Sequence, residues 1–249
     1  MDHIELHFHL LAGIDDGPTS LEESVELAVA AVADGTRLVI ATPHVHPAHV
    51  TDLTLIGERV RELADHLRRE RVNLSVRPGG ELSHAMVGRL SQGELELIAH
   101  GPPGRRRLLL ETLFDGADGP FVRAADELRD RGFGLVIAHP ERARATPETA
   151  SALDRELRLG SVPELTAAAL TGGYGPGARA VALALLRAAP RAVIASDAHG
   201  RRAGRWPGLT PALQELRRVG ERDPEHLVGQ TPRALLAHGL SPRAAARAA

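Results

Sequence analysis

Short runs rich in Val, Ile and Leu alternate along this chain with longer segments whose apolar positions recur every third or fourth residue. The runs are Ile4–Phe8, Arg37–Ala41, Asn73–Arg77, Arg107–Leu110, Gly134–Ala138, Ser161–Leu165 and Ala192–Ala195. Three contain continuous apolar stretches, Leu38-Val39-Ile40-Ala41, Leu135-Val136-Ile137-Ala138 and Val193-Ile194-Ala195, as expected of strands covered on both faces. Between them the spacing predicts helices. In the first, Leu21, Val25, Ala28, Val29 and Val32 share a face, Ser20 and Glu23 fit a capping box, and Gly35 lies past the end. From Asp52 to Glu70, Leu53, Ile56, Val60, Leu63 and Leu67 form one stripe. Further helices are expected over Pro120–Arg131, Pro147–Leu159, Gly177–Ala189, Pro211–Val219 and Pro232–His238. The alternation predicts an α/β fold of seven βα units around a parallel sheet. No linker composition or fixed-period repeat interrupts it, so one domain over 1–249 is expected, with an alanine-rich tail at 241–249 that frays.

Polar residues fall at the ends of these strands. The first delivers His7 and His9, two apart and therefore on one face, followed by Asp15 and Asp16. The second ends in Thr42-Pro43-His44, the third runs into Gly79-Gly80-Glu81, and the fourth into Glu111. His139-Pro140-Glu141-Arg142 follows the fifth and Asp197-Ala198-His199 the last. In a closed barrel of parallel strands these ends converge on one mouth, where such folds build active sites. Imidazole and carboxylate without thiolate suit manganese, iron, zinc or magnesium, and the donors exceed what one ion needs, so two or three divalent ions are expected.

Composition narrows the chemistry. The chain has no cysteine, which excludes disulfides, thiolate metal sites and a cysteine nucleophile. It also has no lysine, all 30 Lys+Arg residues being arginine, which removes Schiff-base chemistry and the lysine of a phosphate-binding P-loop. Gly172-Gly173-Tyr174-Gly175-Pro176-Gly177 therefore reads as a plain loop entering a helix. A net charge of −2 and 2% aromatic residues argue against nucleic-acid binding. No apolar run spans a bilayer, and the acidic start Met1-Asp2-His3-Ile4-Glu5 is unlike a secretory signal, so a cytoplasmic protein is expected. His46 and His49 fit a solvated loop, with a substrate-side role as the alternative; His84 sits near Glu81. His66, His100, His226 and His238 are read as surface residues, and Arg105-Arg106-Arg107 as a solvated or interface charge run near the opposite rim.

His7-Phe8-His9-Leu10-Leu11-Ala12-Gly13-Ile14-Asp15-Asp16-Gly17-Pro18, Ala41-Thr42-Pro43-His44, Gly80-Glu81, Ile137-Ala138-His139-Pro140-Glu141-Arg142 and Ala195-Ser196-Asp197-Ala198-His199 together resemble the PHP (polymerase and histidinol phosphatase) superfamily. Within it they are similar to the capsule-biosynthesis type of bacterial metal-dependent tyrosine-protein phosphatase. The resemblance implies a distorted (β/α)₇ TIM-like barrel with a trinuclear site, manganese being the first choice. It assigns His7, His9, Glu81 and Asp197 to one ion, Glu81, Glu111 and His139 to a second, and Asp16, His44 and His199 to a third. A metal-bridging hydroxide would then be the nucleophile. Arg142 and an arginine after His199, either Arg205 or Arg202, would bind phosphate. This sequence departs from the family pattern at Glu5, where Asp is usual, and at Glu164-Leu165-Thr166, where Gln-x-Asn is usual.

The leading expectation is a phosphotyrosine phosphatase acting on a protein such as a bacterial tyrosine kinase in exopolysaccharide synthesis. The alternatives are a small-molecule phosphatase, for histidinol phosphate among others, and a non-catalytic regulator that contains metal. The sequence leaves the oligomeric state open.

Overall fold

The computed structural model describes residues 2–242; most of the tail expected to fray lies outside them. Nine strands form two parallel sheets: β1 (His3–Phe8), β2 (Thr36–Ala41), β3 (His44–Val45), β4 (Ser75–Pro78), β5 (Glu81–Leu82), β6 (Arg107–Glu111), β7 (Gly134–Ala138), β8 (Val162–Thr166) and β9 (Val193–Ala195). One sheet has the order β1-β2-β4, the other β3-β5-β6-β7-β8-β9. The seven expected runs are present, and two of them continue past a break into short strands that were not expected. β2 passes through Thr42-Pro43 into β3, and β4 passes through Gly79-Gly80 into β5, so each pair leaves one sheet and joins the other. A Cβ at Gly79 would lie 2.4 Å from Ile40 Cγ2, and one at Gly80 2.8 Å from Val45 Cγ2, so the second crossing depends on glycine.

Beyond its pairing with β2 in its own sheet, β1 approaches β9 of the other. Phe8 O accepts from Thr42 N at 3.0 Å, and Phe8 forms a parallel bridge with Ala198, just past β9. His9 N donates to Ala198 O at 2.9 Å and Asp197 N to His7 O at 3.2 Å, which aligns the two segments richest in candidate ligands.

Helices cover the outside of the sheets. Leu21–Ala33 is capped by the Ser20 side chain on Glu23 N, while the Glu23 carboxylate reaches Thr19 rather than Ser20. Thr54–Arg69 buries Ile56, Val60, Leu63 and Leu67, the predicted stripe. Three short α-helices among the described residues were not expected, His84–Val87, Gln92–Ile98 and Ala167–Leu170; the second carries a complete capping box of Ser91 and Glu94.

Strand alternation corrects the reading of Arg107. Arg107, Leu109 and Glu111 share one face of β6, and Arg107 is only 3% exposed. Its guanidinium is buried, with Nε and Nη2 making no hydrogen bond, while Arg105 remains exposed and Arg106 pairs with Glu96. His100 is likewise not a surface residue: it is half-buried, its Nε2 lies 2.8 Å from Pro78 O, and burial with Arg107 nearby pushes its pKa down to about 3.

Candidate metal centre

All nine predicted ligands gather where the strands end. Among the described residues, the potential donor groups are His9, Asp16, His44 and His199; His7, His9 and Asp197; His7, Glu81 and His139; and His44, Glu81 and Glu111. His7 lies one residue before the end of β1, His44 and Glu81 open the short strands β3 and β5, and Glu111 closes β6. His139 and Asp197 follow their strands with φ of 34° and 51°. Such left-handed backbone is unfavourable for residues with a Cβ and concentrates at functional sites.

The inner part of the cluster is buried and tightly spaced. His7 Nε2 and His9 Nε2 are 3.2 Å apart. Glu81 Oε2 is 3.4 Å from each of them, and Asp197 Oδ1 is 3.3 Å from His7 Nε2 and 3.5 Å from His9 Nε2. Ligands at about 2.1 Å around a tetrahedral ion would be roughly 3.4 Å apart, and these separations match. Asp197 Oδ1 is buried with no hydrogen-bond partner, which is costly unless something cationic satisfies it, while Glu81 Oε2 has His44 Nδ1 at 2.9 Å.

Two carboxylates hold the histidine pair from behind. Glu164 Oε2 lies 2.8 Å from His7 Nδ1 and also accepts from His139 N at 3.3 Å; Asp15 Oδ2 lies 2.7 Å from His9 Nδ1. With each Nδ1–H donated, each Nε2 faces the cluster, the arrangement that orients and strengthens an imidazole ligand. The ligand set drawn from sequence did not include either acid. Asp15 was visible beside Asp16, but nothing in the sequence marks which of the two turns inward. Glu164 stood out only as a departure from the family pattern; in the structure it is fully buried beneath His7.

The field favours positive charge. Burial opposes a charged His7, but Glu81, Asp197 and Glu164 outweigh it and hold its pKa well above the ordinary value. Burial likewise opposes charge on His44, yet Glu81 and Asp16 push it up to about 11. Hydrogen bonds to His199 and His44 hold Asp16 well below the usual carboxylate range. His199 moves the other way, to about 4, through burial and the neighbouring His9.

Two arginines border the cluster. Arg142 Nη1 and Arg205 Nη1 reach the same atom, Asp197 Oδ2, at 2.6 and 2.9 Å. Arg205 arrives there because the turn after β9 folds back, His199 N and Gly200 N both donating to Arg205 O at 2.9 Å. Arg202 is directed elsewhere: it is exposed and pairs with Glu23 at 3.1 Å. His46 and His49 extend outward from His44, with ring centroids 5.4 Å apart for His44–His49 and 5.8 Å for His46–His49.

Comparison with known proteins matches residues 3–237 to the family described as Capsular polysaccharide synthesis, CpsB/CapC. Tyrosine-protein phosphatase YwqE of Bacillus subtilis is 32% identical over 197 residues, 79% of this chain and 77% of that protein. The putative tyrosine-protein phosphatase CapC of Staphylococcus aureus is 28% identical over 79% of this chain and 76% of its own. Among solved structures, a chain from the work on YwqE of B. subtilis and CpsB of Streptococcus pneumoniae, described as unique metal-dependent tyrosine phosphatases, superimposes with a TM-score of 0.81 at 26% identity. That match covers 98% of this chain and 100% of the other. A phosphotriesterase homology protein from Escherichia coli shares the fold, with a TM-score of 0.62 at 16% identity over 93% and 97% of the two chains.

Proposed function

The chain belongs to the CpsB/CapC family, and from that premise we propose that it is a metal-dependent phosphomonoesterase hydrolysing phosphotyrosine in proteins. The observation that carries the chemistry is the buried histidine pair, His7 Nε2 and His9 Nε2, 3.2 Å apart, with Glu81 Oε2 and Asp197 Oδ1 each 3.3–3.5 Å from both nitrogens. In this reading they hold one divalent ion. Glu81, with Glu111 and His139, would hold a second, and Asp16, His44 and His199 a third. Manganese is the first choice, with iron, zinc and magnesium compatible with the same donors. Such ions supply a water that loses its proton near neutral pH and neutralise ester oxygens.

The chain's own residues do the rest. Asp15 and Glu164 fix the His9 and His7 rings so that Nε2 of each faces inward. Arg142 and Arg205 offer planar donor pairs to the phosphate oxygens that face away from the cluster. A tyrosine leaving group has a pKa near about 10, so it departs with less help from an acid than an alkyl alcohol needs. The same reading closes the two sheets into a distorted (β/α)₇ barrel forming one domain over 1–249, a closure supported by the Phe8–Ala198 bridge. Its substrate would be a cytoplasmic phosphoprotein such as the tail of a bacterial tyrosine kinase. No helix among the described residues is long and apolar enough to cross a membrane.

Turnover of a phosphotyrosine peptide and of histidinol phosphate by the metal-loaded protein tests this. The peptide should be the better substrate by kcat/KM. Preference for histidinol phosphate would instead indicate a small-molecule phosphatase, and stoichiometric metal with turnover of neither would indicate a regulator.

A further inference from the structure

The chain has only four Phe, one Tyr and one Trp, and their distribution is uneven. Phe8, Phe121 and Phe133 are buried in the core. The other three, Phe114, Tyr174 and Trp206, come from the loops after β6, β8 and β9 and line one cleft of about 590 Å³ together with Arg142 and Arg205. Phe114 is 58% exposed and Trp206 38%, so neither ring contributes full burial to the fold, and the exposed area is available to a ligand.

The cluster and the two arginines recognise the phosphate that every monoester shares. Discrimination between esters must therefore come from surface beside the phosphate, and here that surface is aromatic. Resting on the phosphatase reading above, we propose that Phe114, Tyr174 and Trp206 seat the ring of an aryl phosphate and make the site select aryl over alkyl esters. Phe114 and Tyr174 also position Arg142, whose guanidinium carbon lies 4.6 and 4.5 Å from their ring centroids. Phe114 is further stacked on His139, 6.2 Å between centroids. The Trp206 ring instead lies 4.3 Å from the guanidinium of Arg201, an arginine outside the phosphate-binding pair. Trp206 therefore gives the cleanest separation of ring recognition from phosphate recognition.

Two phosphonates that differ only in the ring, benzylphosphonate and methylphosphonate, test the proposal as inhibitors of the metal-loaded enzyme. In the native enzyme benzylphosphonate should bind at least about tenfold tighter, as burial of a phenyl face implies. As the only tryptophan, Trp206 should change its fluorescence with the benzyl compound and not with the methyl one. Trp206→Ala should bring the two inhibition constants to within about threefold, and Phe114→Leu, which keeps an apolar side chain, should reduce the preference as well. Benzyl preference that survives both substitutions, or Trp206 emission indifferent to the ring, overturns the aryl seat. A native enzyme that hydrolyses phosphotyrosine peptide without preferring the benzyl compound overturns the seat alone. One that neither hydrolyses the peptide nor binds methylphosphonate overturns the phosphatase reading together with it.

Discussion

At the scale of single residues, the site depends as much on the carboxylates behind the histidines as on the inward-facing donors. Glu164 holds His7 Nδ1, so Glu164→Ala should weaken metal binding by about 10- to 100-fold, measured by competition with a chelator. Glu164→Gln keeps an acceptor oxygen and should lose less; equal affinities for native protein and Glu164→Ala would remove Glu164 from this role. For phosphate recognition, Arg142→Ala should retain its metal and lower phosphotyrosine turnover at least about tenfold, or about 1.4 kcal/mol of transition-state stabilisation. Arg142→Lys should not restore it, because an ammonium lacks the planar donor pair. Native kinetics in Arg142→Ala would dismiss the assignment. Arg202→Ala, which removes an exposed pair with Glu23, should change turnover by less than about twofold.

At the scale of elements, the two strand breaks bring His44 and Glu81 into the second sheet. Gly79→Ala would force a Cβ toward Ile40 and should destabilise the protein by about 1–3 kcal/mol, read from the denaturation midpoint; unchanged stability would show that the crossing relaxes easily. The seven apolar runs were legible because strands covered on both faces stay apolar along their length. A strand that changes sheets keeps the same apolar character, so the breaks were not. The only local sign was Gly79-Gly80, whose meaning depends on Ile40 and Val45 approaching from elsewhere in the chain. The nine candidate ligands that the structure gathers were readable from their places at or just after strand ends, whereas Arg107 and His100 were misread because only tertiary packing buries them. Arg205 and Arg202 could not be separated by spacing, since the backbone pairing of residues 199 and 200 with residue 205 decides which one turns inward.

At the scale of the whole molecule, stability and function answer to different charges. His100 has its pKa pushed down to about 3, against 6.5 for an ordinary histidine. Between those values the unfolded chain binds a proton that the folded chain refuses, so stability falls as pH drops through the window, by up to about 1.4 kcal/mol per pH unit. His100→Gln should flatten that part of the dependence in urea unfolding between neutral pH and about pH 4.5; an unchanged slope would show that His100 does not contribute it. The catalytic claim rests instead on cations held by the convergent donors. Its most direct test measures metal content and phosphotyrosine turnover on the same folded sample, before chelation, after it, and after manganese is restored. The account predicts two or three ions per chain, loss of turnover with their removal, recovery with manganese, and no effect of thiol-alkylating reagents. Full turnover in metal-free, folded protein would contradict it.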